Sequence, residues 1–366
     1  MQKTVSIISA GDLAPLRHVN DCEKNVHLIW EKFLAADIGI VNLELPLTTS
    51  KEKADKVINL KADPSIAKSL KEVGIDIVSF ANNHAMDYGR QGLEDTLSNL
   101  RNESVYVIGA GKNSNEAFEP VIQEINGIKI AHIGLCTALP TGFGANEHRP
   151  GVAPIRAKSR FYIDSVTLDE QPGMAPWVET SVVGDDLVYA CKKIESIKKD
   201  VDVLIAQVHW GVPHGWSALF QGPLADYQQP MGHALIDAGV DVIMGHHPHV
   251  VHGVEKYKEG YIVYSLGNFL FHSMSEDHET HLTAKYPPYN VDSLETGEAR
   301  EAVLMETIIS DSTKCKFKFY PIALNRYGEP EFIEGDRAIN VLKRMEKHSA
   351  VLGTQFVING EVGELS

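Results

Sequence analysis

The sequence predicts an α/β fold, and three observations carry that prediction. Short β-branched runs recur along the chain, each run ends abruptly in Gly, Asn, Asp, Glu or His, and helix-like stretches separate them. The runs are VSIISAGD at 5–12, IGIVNLE at 38–44, IDIVSFANNH at 75–84, VDVLIAQVHWG at 201–211 and VDVIMGHHPH at 240–249. Continuous apolar runs of this length suit strands buried on both faces. The intervening helices are predicted at 64–73, which opens with Pro64, and at 90–101, 185–199 and 226–238. Gly74 and Gly239 fall just past two of them, where a left-handed cap favours glycine. In open α/β sheets the carboxyl ends of the strands line the ligand crevice, so the five polar clusters are predicted to converge on one site.

The remaining elements follow in order. Residues 120–135 read as a hairpin with Asn126-Gly127 as its two-residue turn. Residues 140–180, rich in Gly, Pro and Arg, read as an insertion beside the site. Strand character resumes at 250–270 and 301–322, on either side of a polar, acidic loop at 273–300. The chain closes with a helix at 336–348 and a strand-like tail. With no internal repeat and no long linker, one domain is expected: a catalytic body over 1–330 and a C-terminal extension over 331–366 packed on it.

Hydrophobic residues at 43% and charged residues at 23% exclude a disordered or fibrous chain. The formal charge is −15. So acidic a chain repels phosphate backbones and anionic lipid, which argues against nucleic-acid or membrane-surface partners. Cys22, Cys136, Cys191 and Cys315 lie far apart with no C-x-x-C spacing, as reduced thiols do. The apolar run before Gly11-Asp12 is too short for a signal-peptide core, and no stretch reaches the roughly 18 apolar residues of a membrane helix, so a cytoplasmic protein is expected.

Most of the sixteen histidines fall between His209 and His281. Histidine is the commonest metal ligand and the usual acid or base near neutral pH. In His247-Pro248-His249 an extended segment would point both rings the same way. His209 ends the preceding strand, while Asp12, Glu44 and Asn83 end three others and supply oxygen. Such a mixed nitrogen–oxygen set suits zinc, manganese or iron, as one or two divalent ions, and lacks the thiolates of a structural zinc site. Taken singly, a strand-end His or Asp is more often a hydrogen-bonded or turn residue. Five such ends together are hard to obtain from capping alone. On an extended strand His246 should point away from its neighbours, and it is read as a supporting or core residue; His132, in mid-strand, reads as a satisfied core residue.

The motifs GDLAP at 11–15, NLELPLT at 42–48, FANNHAMDYG at 80–89, HWG at 209–211, GHHPHV at 245–250 and YSLGNFLF at 264–271 resemble, in order, those of the CapA family of poly-γ-glutamate capsule biosynthesis proteins. That family is similar in turn to the calcineurin-like metallophosphoesterases. The resemblance implies a four-layer α/β/β/α sandwich, metallophosphatase-like, around a dinuclear metal site. It implies Asp12, Glu44, Asn83, His209, His247 and His249 as metal ligands, with His84 protonating the leaving group. Asp87 either orients His84 or serves as a turn residue, and Asn268 either supports the ligands or is structural. One departure concerns the D-x-H element, where Ala14 stands in place of histidine and leaves a gap for His18 or Arg17 to fill.

A divalent metal acidifies water, and the hydroxide so formed attacks a carbonyl or phosphoryl centre. The expected activity is hydrolysis of an amide, of lactam or γ-glutamyl type, in a small anionic molecule. The alternatives are a phosphoesterase and, in a different class, a non-catalytic capsule-polymer protein. Residues 147–160 carry Arg149, Arg156, Lys158 and Arg160 against Glu147, a basic clamp for such an anion or a merely solvated loop. Trp210, His214 and Trp216 complete the expected substrate contacts.

Overall fold

The computed structural model describes residues 3–56, 58–211, 223–272, 297–310 and 314–365. Strand β1 (Thr4–Ala14) is buried over nearly all its length and runs parallel to β2 (Ile38–Leu43). The helix between them, α1 (His27–Ala35), was not anticipated; it is short and inserts Ile29, Trp30 and Phe33 into the core while Leu28 and Leu34 stay exposed. Helices α2 (Ile66–Glu72) and α3 (Gly89–Asn102) then carry the chain to β3 (Ile77–Ser79) and β4 (Tyr106–Ile108), both parallel to the strand before.

Beyond β4 come β5 (Ala110–Gly111), α4 (Ser114–Ala117) and the antiparallel hairpin β6 (Val121–Ile125) and β7 (Ile128–Cys136). Asn126 and Gly127 have φ of 54° and 80°, the left-handed pair that a tight hairpin turn requires. Strand β8 (Gly151–Val152) pairs with β5. The insertion is more ordered than its composition suggests: β9 (Ala157–Tyr162) and β10 (Trp177–Val182) form an antiparallel ribbon joined through α5 (Ser165–Glu170). Parallel βαβ units resume with α6 (Gly184–Lys198), β11 (Val203–His209), α7 (Gln228–Asp237) and β12 (Val242–His246). Gly74 and Gly239, past α2 and α7, take the expected positive φ.

Strands β13 (Val254–Tyr257), β14 (Gly260–Val263) and β15 (Asn268–Phe271) follow, then β16 (Glu301–Ser310), β17 (Cys315–Leu324) and β18 (Pro330–Phe332). Most of the predicted acidic loop, 273–296, lies outside the described residues. The chain ends with α8 (Gly335–Val351), β19 (Val357–Asn359) and β20 (Val362–Leu365). Because β20 pairs with β17, this terminal segment extends the first sheet.

Two sheets result. One has the order β19-β20-β17-β16-β1-β2-β3-β4, with β15 beside β1; the other has the order β13-β14-β12-β11-β7-β6. Alternation along β11 shows how they stack. Val203 and Ile205 join the core shared with β1, β2 and β16, whereas Leu204, Ala206 and Val208 join a second core with Ala190 and Ile194 of α6 and Met231 and Leu235 of α7. Helices α1, α2 and α3 contribute Phe33, Leu70 and Leu93 to the first core. The layers are therefore helix, sheet, sheet, helix, an α/β sandwich as expected from the sequence.

His132 departs from expectation. It is fully buried, but among the described residues neither ring nitrogen has a hydrogen-bond partner. Burial pushes its pKa down to about 3, so it is held neutral.

Candidate metal centre

The ends of β1, β2, β11 and β12 meet where the two sheets face each other. Asp12 comes from β1, Glu44 directly follows β2, His209 closes β11, and His247 and His249 follow β12. Two triads form, Glu44–His209–His247 and Asp12–Glu44–His249, and within each the donor atoms all lie within 4.8 Å of one another. Glu44 is shared between them. Its Oε1 is 3.4 Å from His209 Nε2 and 3.9 Å from His249 Nε2. Asn83 joins through Oδ1, 2.9 Å from His209 Nε2.

The loop carrying His247 and His249 is not extended, as the i, i+2 argument assumed. Their φ angles are 94° and 59°, left-handed in both residues. Non-glycine residues adopt that region only where the surroundings hold them there, at a cost of about 1–3 kcal/mol each. One such hold is visible: the His247 amide donates to Asp12 Oδ2 at 3.2 Å. The rings of His247 and His209 lie 4.7 Å apart, centroid to centroid.

A buried set of partners positions the ligands. Asp12 Oδ1 accepts from Asn42 Nδ2 at 2.7 Å, and Asn42 Oδ1 accepts from Asn82 Nδ2 at 3.2 Å. Asn268 Oδ1 is 2.8 Å from His249 Nδ1, and its amide donates to the Ala299 carbonyl. That bond leaves His249 Nε2 on the Glu44 side. Asn268 reaches the site because Gly11 and Gly267 touch: a Cβ on Gly11 would sit 1.8 Å from the Gly267 carbonyl oxygen. His246 does not turn away from the site. Its Nε2 is 2.6 Å from Gln207 Oε1, and its Nδ1 lies 3.6 Å from Asp12 Oδ1.

A second cluster borders the ligands. His84 Nδ1 is 2.6 Å from Asp87 Oδ2, which also accepts from the Leu60 amide at 2.6 Å. Lys56 Nζ donates to Asp87 Oδ1 and to the Asn83 carbonyl, both at 2.7 Å. Asp87 therefore holds His84 rather than capping α3, whose N-terminal cap is Tyr88. Lys56 was missed by sequence reasoning. It sits in a lysine-rich stretch, KEKADK, where nothing sets one lysine apart. Asn42 and Gln207 were also missed, although a lone amide inside an otherwise apolar strand (IVNL, LIAQV) was a signal available to be read.

The electrostatics fit a cation. Burial, and after it the charge of Asp12, holds the Glu44 carboxyl well above the usual carboxylate range. Among the described residues neither Glu44 oxygen nor His247 Nδ1 has a hydrogen-bond partner, though all are buried. Burial also keeps the imidazoles neutral, with His247 pushed down to about 3, His246 down to about 4 and His209 well below its ordinary value. A carboxylate without partners facing neutral imidazoles is costly without a counter-charge, and a divalent cation supplies one.

Other predicted residues lie elsewhere. Trp210 cannot form a substrate wall: it is fully buried, stacked on Tyr264, with Nε1 donating to the Tyr264 carbonyl at 3.0 Å. Neither His18 nor Arg17 fills the gap at Ala14; His18 bonds Ser65 at 2.8 Å and Arg17 pairs with Glu329 at 2.5 Å. Arg149 and Arg156 line a groove of about 690 Å³ together with Thr137, whose amide bonds the His209 carbonyl. Arg156 is not free to clamp an anion, because Asp186 holds its Nε and Nη2 at 2.7 and 2.6 Å. His214 and Trp216 lie outside the described residues. The four cysteines are free thiols, in no disulfide. Among the described residues no helix is long and apolar enough to cross a membrane.

Residues 6–273 match the sequence profile of a family described as bacterial capsule synthesis protein PGA_cap. The PGA biosynthesis protein CapA of Bacillus subtilis (strain 168) is 33% identical over 242 residues, which cover 65% of this chain and 54% of that protein. The capsule biosynthesis protein CapA of Bacillus anthracis is 32% identical over 221 residues, 60% of this chain and 46% of that one. A protein of Mycobacterium tuberculosis (strain CDC 1551 / Oshkosh), named as a probable polyglutamine synthesis accessory protein, is 28% identical over 239 residues, 64% of this chain and 55% of its own. The chain spans about half the length of the curated relatives it matches.

Proposed function

The chain belongs to the bacterial capsule synthesis protein family PGA_cap, and on that premise we propose that its buried centre is that of a metal-dependent hydrolase acting on an amide bond, of lactam or γ-glutamyl type, in a small anionic substrate. The observation that carries this reading is Glu44, whose two buried, partnerless oxygens stand at the shared corner of two ligand triads. Asp12, Glu44, Asn83, His209, His247 and His249 would hold one or two divalent ions, and their nitrogen–oxygen mixture favours manganese, zinc or iron. Such an ion, when bound, lowers the pKa of water towards about 7 and polarises the bond under attack.

The chain's own residues supply the rest. Asp87 and Asn268 fix the rings of His84 and His249 through their Nδ1 atoms. His84 thereby presents Nε2, the atom through which a proton passes to the departing nitrogen, a task worth typically 10²–10⁴ in rate. Lys56 and the Leu60 amide hold Asp87 in turn. Lys158 and Arg149 at the groove supply positive charge for an anion, with Arg156 already occupied by Asp186.

The relatives' names speak of capsule biosynthesis, which favours a second reading in which the centre is structural and the protein binds polymer without cleaving it. A panel of γ-glutamyl amides, lactams and phosphoesters, run on metal-loaded protein with and without chelator, separates the two. Chelator-sensitive cleavage of an amide supports the hydrolase. Cleavage of phosphoesters alone assigns the other chemistry, and no turnover by a fully metal-loaded protein favours the structural centre.

A further inference from the structure

The two ligand triads share Glu44 but differ in what else they bring together. At one corner Glu44 meets two imidazoles, His209 and His247, and the Asn83 amide oxygen stands 2.9 Å from His209 Nε2. At the other it meets one imidazole, His249, and a second carboxylate, Asp12. The first corner is therefore rich in nitrogen and the second in charged oxygen.

The demand for a cation is as uneven as the donors. Among the described residues, the buried triad atoms without a hydrogen-bond partner are both Glu44 oxygens and His247 Nδ1. All three belong to the nitrogen-rich corner. Asp12, by contrast, already accepts from Asn42 at Oδ1 and from the His247 amide at Oδ2, while Asn268 occupies His249 Nδ1.

The surroundings of Asp12 do not make up the difference. Ala14, two residues further along β1, offers only a methyl group, and its register partner Phe271 sets its ring edge-on, 5.7 Å from that of His249. His246 Nδ1 lies 3.6 Å from Asp12 Oδ1 but joins neither triad. Imidazole nitrogen suits zinc, whereas carboxylate oxygen and water suit manganese and magnesium. An outer partner of a ligand is by itself worth about 10- to 100-fold in affinity, so one whole imidazole more is worth at least as much.

We propose, resting on the reading of this centre as a metal site, that it takes two unlike ions in order. A zinc-class ion is held tightly by Glu44, Asn83, His209 and His247. A hard, exchangeable ion, manganese or magnesium, is then held weakly by Asp12, Glu44 and His249. The first stays with the protein through dilution, and the second follows its own concentration in solution.

The test is elemental analysis of the full chain, which needs no turnover. Metal-stripped protein is given one equivalent of zinc, dialysed against millimolar manganese, and then washed in metal-free buffer. Wild type is expected to carry one zinc and one manganese before the wash and to lose only the manganese in it, the two affinities differing by about 100-fold or more. His249→Ala should keep the zinc and take up no manganese, and His209→Ala should fail to retain zinc. If a variant fails to fold, the wild-type wash still decides. Both ions leaving together, manganese displacing the zinc, or zinc kept by His209→Ala and lost by His249→Ala would overturn the inference while leaving the metal centre standing. A chain that binds neither ion would overturn both.

Discussion

Replacing Glu44 by glutamine should change the stability of this protein in opposite directions with and without metal. Without metal, both Glu44 oxygens are buried and unbonded beside Asp12. A buried acceptor left unmade costs about 1–3 kcal/mol, so removing the charge should stabilise the chelated protein by about 2 kcal/mol. Unfolding entropy of about 2.1 cal/mol/K per residue converts that into a rise in Tm of roughly 2–3 °C for a chain this long. The gain has a pH sign. The folded pKa of Glu44 lies above its unfolded value, so its favourable contribution is full at low pH and is lost as pH rises through the folded value. The Gln variant's advantage should therefore grow as pH rises above the ordinary glutamate range, by at most roughly 1.4 kcal/mol per unit. With manganese at about a hundred times its Kd, wild type gains about 2.7 kcal/mol, and a variant lacking the shared carboxylate should gain little. Scanning calorimetry with chelator and with manganese, zinc or iron reads all of this. The order of the two Tm values should reverse on adding metal. A Glu44→Gln protein less stable than wild type in chelator, or one stabilised by metal as much as wild type, would refute the reasoning.

Three further outcomes follow from the site and its surroundings. Asp87→Asn should lower kcat on any substrate found for the proposed hydrolase by roughly 10²-fold while metal content stays at the wild-type level, because Asp87 touches His84 and no ligand triad. Asn268→Ala should loosen metal 10- to 100-fold in a competition titration with a chromophoric chelator, since it removes the acceptor that orients His249. His132→Leu should flatten the acid limb of stability: the folded pKa of about 3 lies below the unfolded value of about 6.5, so wild type loses stability as pH falls below the latter, about 2 kcal/mol by pH 5, and the variant loses that much less in chemical unfolding at the two pH values.

Most of the sandwich was legible because strands buried on both faces leave continuous apolar runs, and β2, β3, β11 and β12 do so. Helix α1 was not, since nine residues with two exposed leucines give little periodicity. The ribbon hid for a different reason: its alternation is interrupted by arginine, lysine and glutamate on one face. At the site the ligands stood at strand ends, where pattern and position coincide. What holds them did not. Lys56 and Gln207 act through contacts distant in sequence, and a basic residue in a basic stretch or an amide in a strand declares no partner. The left-handed backbone of His247 and His249 was equally silent, because it is imposed by the fold around Asp12 rather than by local residue preference. Arg156 shows the converse error: its charge was counted, but Asp186, thirty residues on, was not seen to neutralise it.

The central claim is that the Glu44 corner exists to hold metal. Its most direct test is elemental analysis of the full chain expressed with manganese, iron and zinc supplied, before and after chelator, alongside His247→Ala. One to two equivalents of divalent ion per chain, stripped by chelator and absent from His247→Ala, is the predicted result. A wild-type chain that binds none of the three, or a His247→Ala chain that keeps its full complement, would contradict it.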